Sequence, residues 1–218
     1  QDPLLSWNQR ASGMTSSDLS AIATDGNTLV AVGDGGGAGG FVVLHSDNGR
    51  EWEKAATTWK HKNGSTFSTY NFHFESLIHN GTTWFAVGKD YDFSLNQWVG
   101  VILSAGNAKD WTVQYYGGSP LYDIAANNNV LVAVGYEGQV LRSTNSGSAW
   151  TSSTLGSADL SGVAFGNNEF IIVGVNESTR CSDTDGVLYT STNGAAWQAA
   201  DNSGDLSTIT AISYLNDR

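Results

Sequence analysis

Apolar residues in this chain occur in short runs that recur at intervals. A run ending in Val-Gly appears four times, as "NTLVAVG", "TTWFAVG", "NVLVAVG" and "NEFIIVG". An alternating segment such as "LSAIA" or "LYDIA" precedes each run, separated from it by a turn rich in Asn and Gly. Alternation predicts a strand with two different faces, and a short continuous apolar run predicts a strand covered on both faces. No window carries a sustained helical period of 3.6 residues, so we predict an all-β fold.

Each repeat continues with a third apolar segment, a polar turn and a tryptophan. The third segments are "FVVLHS", "WVGVILS", "QVLRS" and "GVLYTS". The tryptophans are 39–59 residues apart. Four short antiparallel strands in a unit of this length predict blades of a β-propeller. The repeat tryptophans are Trp52, Trp111, Trp150 and Trp197.

We interpret the chain as one β-propeller domain over residues 1–218, with four complete repeats and an incomplete fifth blade. The expected blades cover approximately 19–57, 74–116, 121–155 and 160–200. A partial blade would combine 206–218 with 4–12, because "LSTITAI" from Leu206 reads as a first strand and Trp7 as a repeat tryptophan. Three explanations stay open for the missing strands: a fragment of a longer chain, strands donated by a partner, or closure by four blades alone.

The turns before the tryptophans share a motif. They read "HSDNGREW", "SAGNAKDW", "STNSGSAW" and "TSTNGAAW", which fits Ser/Thr-x-(Asp/Asn/Thr)-x-Gly-x-x-Trp with His45, Gly106 and Ala108 as departures. This motif resembles the Asp-box, or BNR, repeat of sialidase-like and photosystem-stability-factor-like propellers. The resemblance implies a folding element in which an acid or amide caps the hairpin and the tryptophan packs between blades. The structural residues so assigned are Asp47, Gly49, Trp52, Trp111, Asn145, Gly147, Trp150, Gly194 and Trp197.

Composition narrows the class of partner. The net charge of −11 and pI of about 4.5 argue against nucleic acid, which would be repelled at long range. No apolar run approaches the ~18 residues that span a bilayer, so we expect no membrane insertion. Abundant Ser, Thr, Asn and Gly, scarce Lys and a single cysteine, Cys181, are typical of a secreted bacterial or cell-surface protein.

Loop lengths indicate which face binds. With strands named a to d from the axis outward, the a–b loops are short and the c–d turns are the stereotyped motif. Long loops fall on the opposite b–c/d–a face, and variable loops on a rigid scaffold are where function concentrates. Aromatic rings with amides and carboxylates there suit sugar rings, although Trp59 and Tyr70 could instead pin their own loop. The candidate ligand-binding residues are Trp59, His61, Tyr70, Tyr91, Asp92, Tyr136 and Arg180, and the same face holds His73, Trp98 and Glu137.

Catalytic and metal sites receive less support. The sialidase resemblance would imply an arginine triad and a Phe-Arg-Ile-Pro-like segment, but the chain has five arginines and no such segment. We therefore predict a non-catalytic member. Asp18, Glu75 and Asp123 could supply the two carboxylates of a glycoside hydrolase, but a polar residue recurs at this point of each repeat. No cofactor is predicted; calcium at "DTDG" (183–186) and a metal held by His61, His73 and Asp90 or Asp92 are the alternatives.

Three functions follow from this interpretation. The first is a non-catalytic secreted binding or scaffold module that recognises surface glycans through the b–c/d–a face. The second is a structural subunit whose open blade is completed by a protein partner or a second copy in an extracellular assembly. The third is a fragment of a glycoside-hydrolase-like enzyme.

Overall fold

The computed structural model describes residues 18–34, 41–55, 60–61, 72–177, 184–200 and 209–214. These residues form strands and turns, with a single-turn 3₁₀ segment at Tyr136–Gly138 as the one helical element among them. The all-β prediction is confirmed. The strands assemble into four sheets that follow one another along the chain.

The first two sheets contain nine strands. The first sheet has the order β1-β2-β3-β4, formed by β1 (Leu19–Thr24), β2 (Leu29–Asp34), β3 (Phe41–Ser46) and β4 (Glu53–Lys54). The second has the order β5-β9-β8-β7-β6, formed by β5 (Lys60–His61), β6 (His73–His79), β7 (Trp84–Asp92), β8 (Gln97–Ala105) and β9 (Thr112–Gly117).

The other two sheets repeat the four-stranded pattern. The third sheet is β10 (Leu121–Asn127), β11 (Val130–Gly135), β12 (Gln139–Ser143) and β13 (Thr151–Thr154). The fourth is β14 (Asp159–Gly166), β15 (Glu169–Glu177), β16 (Thr184–Ser191) and β17 (Gln198–Ala199). The first strands β1, β6, β10 and β14 contact one another in sequence, so the sheets radiate from a common axis as propeller blades.

Apolar layers between neighbouring blades hold the fold together. Phe85 and Val87 on β7 face the third blade, whereas Trp84 and Ala86 on the same strand face the first. A third layer, which includes Val132 and Ile172, lies between the third and fourth blades. Because side chains of one strand alternate between two apolar layers, the second strand of each repeat must be apolar throughout. This confirms the interpretation of the Val-Gly runs.

The glycine that ends each run is required by a close backbone contact. Every first strand has a register irregularity near its start, as between Leu121 and Asp123. The irregularity brings the preceding carbonyl onto the end of the second strand, where a Cβ on Gly135 would lie 1.9 Å from the Pro120 oxygen. The same contact occurs at Gly33, whose Cβ would lie 1.9 Å from a carbonyl oxygen. Any side chain there would force the two strands apart.

The first hairpin turn differs from the expected alignment at its capping residue, whereas Asn145 caps the third turn as expected. In the first blade Asn48 Oδ1, and not Asp47, accepts the Arg50 and Glu51 backbone N–H groups at 2.8 and 2.9 Å. Asp47 instead accepts a hydrogen bond from the Thr28 hydroxyl at 3.0 Å. The correction has a physical reason: Ser46 Oγ already binds the Gly49 N–H, which places Asn48 at the cap. The amides that cap the four turns are Asn48, Asn107, Asn145 and Asn193.

The other motif residues lie in the turns and between the blades. Gly49, Gly147 and Gly194 all have positive φ, which glycine adopts without strain. Trp111 is buried between the first two blades and donates its indole N–H to the Ala108 carbonyl at 3.0 Å. Trp150 and Trp197 pack against the next two interblade layers, and Trp52 is partly buried.

A segment beyond the fourth blade continues the ring. Residues 209–214 lie beside β14, where Ser161 Oγ donates to the Ile209 carbonyl at 2.8 Å. Tyr214 packs over Gly166 and donates its hydroxyl proton to Asn167 at 2.9 Å. The segment forms no strand among the described residues, and the partial blade expected from 206–218 and 4–12 stays a prediction. Residues 4–12, expected to complete that blade, lie outside the described residues.

Candidate functional site

A groove of about 790 Å³ opens between the second and third blades. Its walls come from the β7–β8 hairpin, the loop 118–120 between β9 and β10, and the segment 136–139 between β11 and β12. These are b–c and d–a connections, so the groove lies on the face that loop lengths predicted. Its volume is in the range of small-ligand sites.

The β7–β8 hairpin supplies one aromatic wall. Tyr91 meets Trp98 edge-on with 5.4 Å between ring centroids, and Trp98 meets His73 in the same way at 5.1 Å. Tyr91 also donates its hydroxyl proton to Asn96 Oδ1 at 2.8 Å. Trp98 is nevertheless 38% exposed. The wall is therefore braced by its neighbours and still presents a ring surface to solvent.

The tip of this hairpin is preorganised by Asp92. Its Oδ1 accepts the Ser94 and Leu95 backbone N–H groups at 2.8 and 3.1 Å. Hydrogen bonding, first from the Ser94 hydroxyl, lowers the pKa of the exposed Asp92 carboxyl. Asp92 does not line the groove, so its capping of the turn replaces the expected ligand contact. Phe93 projects from the tip and is 75% exposed.

The opposite wall is the short segment between β11 and β12. Tyr136 N–H donates to the Pro120 carbonyl at 2.9 Å, and Gly138 N–H donates to the Ala158 carbonyl at 2.8 Å. Glu137 N–H donates to Asp159 Oδ1 at 3.0 Å. These bonds fix the segment against the third and fourth blades and leave Tyr136 41% exposed.

Gln139 lies at the bottom of the groove, and both the oxygen and the nitrogen of its side-chain amide form hydrogen bonds with neighbouring segments. Its Oε1 accepts the Ser119 N–H at 3.2 Å, and its Nε2 donates to Ser152 Oγ at 2.9 Å. Gly118 has φ +58, and a Cβ there would lie 2.7 Å from Gln139 Oε1. The wall at 118–120 is thus fixed in place by the buried glutamine.

Two charged groups border the groove. Lys89 Nζ lies 2.8 Å from Glu75 Oε1 and 5.8 Å from the Trp98 ring centroid, a geometry suited to cation–π attraction. Glu137 is exposed at the rim. Asp90, on the same hairpin as Lys89, is buried and accepts a hydrogen bond from the Tyr116 hydroxyl at 3.1 Å. Burial and then the Asp90 carboxylate raise the pKa of Tyr116.

The structure brings together two of the predicted binding residues, Tyr91 and Tyr136. It places His61 elsewhere: β5 pairs in parallel with the start of β9, next to the hairpin turn and away from the groove. The expectation that the whole connection 57–73 stays on the binding face is wrong at this point, because the added strand covers an otherwise open sheet edge. Trp59, Tyr70 and Arg180 lie outside the described residues.

The groove also contains residues that were not selected from the sequence. Trp98 and Glu137 were placed on this face but not among the binding candidates, and Tyr122 was read as part of an inner strand. Trp98 begins an apolar third strand and therefore resembles a core residue. Its signal is the preceding polar "SLNQ", which places it at the exposed end of the strand.

Asp123, one of three carboxylates considered for a glycoside hydrolase, has a structural role. Its Oδ1 accepts the Ser76 hydroxyl at 2.7 Å and the Ile124 N–H at 2.8 Å, and its Oδ2 accepts the Val163 N–H at 2.9 Å. It therefore joins the second, third and fourth blades. Burial raises the pKa of Asp123 because it desolvates the carboxylate.

The described residues include neither a cluster suited to a metal ion nor a membrane-spanning helix. No three His, Cys, Asp or Glu side chains among the described residues are grouped so that they could hold a metal ion. His73, one of the expected ligands, has its Nδ1 3.0 Å from Asp34 Oδ2. Within the described ranges, no helix is long and apolar enough to cross a membrane.

Comparison with known proteins places the fold. No family model matches the chain, and no curated protein matches it. The structure is similar to YCF48 bound to D1 peptide, with a TM-score of 0.57 and 14% identity over 92% of this chain and 58% of that one. YCF48 from Cyanidioschyzon merolae gives a TM-score of 0.54 and 18% identity, with coverages of 92% and 61%.

An enzyme shares the architecture as well. Exo-beta-1,3-galactanase from Phanerochaete chrysosporium with beta-1,3-galactotriose gives a TM-score of 0.54 and 10% identity, over 86% of this chain and 50% of that one. The present chain thus spans 50–61% of the length of these three proteins. Similarity at such low identity shows a shared propeller fold and nothing more about activity.

Proposed function

We propose that this chain is a non-catalytic binding module of a secreted or cell-surface protein, and that it recognises surface glycans through the groove between its second and third blades. The Asp-box resemblance and the secreted location remain parts of this proposal that rest on the sequence. The solved propellers of similar fold include both a peptide-bound protein and a sugar-bound enzyme. Glycan and protein ligands are therefore both compatible with the architecture.

The exposed ring surfaces in a braced groove carry the proposal. Trp98 exposes 38% of its surface although Tyr91 and His73 brace its ring, and Tyr136 exposes 41% on a segment whose backbone is fixed by hydrogen bonds. The apolar C–H face of a sugar ring packs on such an aromatic surface, while its hydroxyls need hydrogen-bonding groups nearby. Asn96, Gln97 and Ser119 supply such groups around the rings. Preorganised rings reduce the entropic cost of binding.

A glycan array with three variants tests the proposal. We expect Trp98→Ala and Tyr136→Ala each to weaken the strongest glycan signal at least tenfold, because each removes a stacking surface. Leu95→Ala is the matched control, since Leu95 is exposed on the same hairpin but does not line the groove. Absence of any glycan signal, or signals that all three variants leave unchanged, contradicts glycan binding in this groove.

A second function is favoured by apolar side chains exposed on the first blade. The inner strand β1 exposes Leu19 and Ile22, the latter at 61%, on the side of the first blade that has no described neighbour. Residues 209–214 line the fourth blade at the other end of the ring. A structural subunit completed by strands of a partner chain would cover this surface.

Native mass spectrometry with light scattering tests this second function. Strand completion by a partner or a second copy predicts a stable complex that is weakened by Ile22→Asp. A monomer at micromolar concentration whose mass is unaffected by partners from the native source contradicts it. A hydrolase fragment is the third alternative, and Asp123 gives it little support because both of its carboxylate oxygens accept hydrogen bonds that join the blades.

A further inference from the structure

The charged groups of the groove are unevenly paired. Among the described residues that line it, only Lys89 and Glu137 carry charge. Lys89 is neutralised by Glu75 at 2.8 Å, whereas none of the ion pairs found among the described residues involves Glu137. The chain as a whole carries a net charge of −11. The uncompensated charge at the groove is therefore negative, which favours a ligand with a positive group.

The Glu137 carboxylate makes no hydrogen bond or ion pair within the described fold. Glu137 adopts φ 53 and ψ 43, the left-handed region that glycine occupies without strain and that costs other residues about 1 kcal/mol. Its backbone N–H is bound by Asp159, but no hydrogen bond is formed by its side chain within the described structure. Six other non-glycine residues of the described structure also have positive φ, so the unbonded carboxylate, and not the backbone, marks Glu137 as a candidate binding residue.

The surroundings of Glu137 define the rest of the ligand. Tyr136 and Trp98 offer flat ring surfaces, and Gln97 offers an amide that makes no hydrogen bond in the described structure. A sugar ring would stack on the aromatic rings and form a hydrogen bond with the Gln97 amide, and an ammonium substituent on the sugar would donate a hydrogen bond to the Glu137 carboxylate. We infer that the groove selects glycans carrying a free amino group, with Glu137 as the ammonium-binding residue. This inference rests on the proposed glycan-binding function.

Isothermal titration calorimetry on the full chain tests the inference. Three short β-linked oligosaccharides of equal length serve as probes: a glucosamine oligomer, its N-acetylated counterpart and a glucose oligomer. The pH is kept low enough for the sugar amine to be protonated. A hydrogen bond to a charged group contributes about 1.5–3 kcal/mol, so the amino sugar should bind about 10- to 100-fold more tightly than the other two.

Two glutamate variants separate the site from general charge. Glu137→Gln keeps the side-chain size and should remove the preference for the amino sugar while retaining weaker binding of the neutral oligomers. Glu169→Gln is the matched control, because Glu169 is exposed at the turn between β14 and β15, on the opposite face. It changes the net charge equally and should keep the preference intact.

The outcomes distinguish this inference from the proposal beneath it. Equal binding of amino and neutral oligomers, or an unchanged preference in Glu137→Gln, overturns the amino-sugar assignment and leaves glycan binding standing. Failure of all three oligomers overturns both. A short peptide containing lysine and arginine is titrated in parallel: if it alone binds and Glu137→Gln abolishes that binding, the groove recognises a basic peptide and both statements are wrong.

Discussion

Replacing Asp123 by alanine should destabilise the propeller because this carboxylate connects three blades. The substitution removes the acceptors of the Ile124 and Val163 N–H groups, at 2.8 and 2.9 Å, and of the Ser76 hydroxyl. Ile124 and Val163 are 2% and 3% exposed, so water reaches their backbone poorly. The hydroxyl can rotate toward another partner, but the two N–H groups cannot.

The magnitude follows from the cost of orphaned donors. A buried N–H left without an acceptor costs about 1–3 kcal/mol, and two such groups would cost about 2–6 kcal/mol. Removal of a desolvated carboxylate offsets part of this cost, since burial disfavours the charged form of Asp123. We therefore expect Asp123→Ala to lower the free energy of unfolding by about 2–4 kcal/mol.

Urea unfolding followed by tryptophan fluorescence measures this change, with an unchanged m-value as the sign that the native surface is retained. Asp47→Ala is the control, because Asp47 is exposed and accepts only the Thr28 hydroxyl. It should change stability by no more than about 0.5 kcal/mol. If Asp123→Ala is as stable as the control, the carboxylate does not join the blades and its hydrogen bonds carry no net stability.

Four further predictions concern the turns, the glycines, the groove and pH. Gly135→Ala should lower the melting temperature severely or prevent folding, because its Cβ would lie 1.9 Å from a backbone oxygen. Gly106→Ala is the control in the same thermal melts and should be nearly neutral, because a Cβ there has no atom within 4 Å. Asn193→Ala should cost about 1–2 kcal/mol in urea unfolding, since two backbone N–H groups at 2.8 and 3.0 Å lose their acceptor. Glu137→Gly should raise stability by about 1 kcal/mol through relief of a left-handed backbone, while weakening ligand binding. Burial raises the folded-state pKa of Asp123 above 3.8, so the stability that its protonation contributes is complete below pH 3.8 and is lost as pH rises through the folded-state pKa. The free energy of unfolding should therefore fall with pH in this acidic range, and Asp123→Asn should lack this dependence.

The architecture was predictable because its physical requirements repeat in the sequence. A strand between two apolar layers must be apolar on both faces, and the runs ending at Gly88 and Gly135 show this directly. The glycine of each Val-Gly ending is required because a backbone carbonyl lies against it in every blade. Periodicity of side chains and the absence of Cβ are both visible in a sequence.

The capping residue was harder to predict because two adjacent side chains could fill the same role. In "SDNG", either Asp47 or Asn48 can bond backbone N–H groups in a turn. Which of the two caps the turn depends on which hydroxyl accepts the glycine N–H, and this hydroxyl is that of Ser46, at 2.9 Å from Gly49 N. An alignment that starts one residue earlier, at His45, selects the wrong cap.

Some residues of the candidate site can be predicted from local sequence, whereas others depend on long-range contacts. Tyr91 and Tyr136 were identified from loop position, which is set by the repeat. His61 was misplaced because a two-residue pairing with β9 depends on the path of a long connection. Glu137 lies on the predicted face, but its proposed role in binding depends on the pairing of Lys89 with Glu75, which is not visible in the sequence.

The groove and the blade contacts are coupled through shared residues. The loop that carries Tyr136 and Glu137 is held by Asp159 and Ala158, which begin the fourth blade, while its opposite wall belongs to the second. Loosening the inner contacts at Asp123 should therefore widen the groove before the blades separate. Ligand binding that weakens in Asp123→Ala at urea concentrations below its unfolding transition would show this coupling, whereas unchanged affinity up to the transition would show that the groove is held by the loop contacts alone.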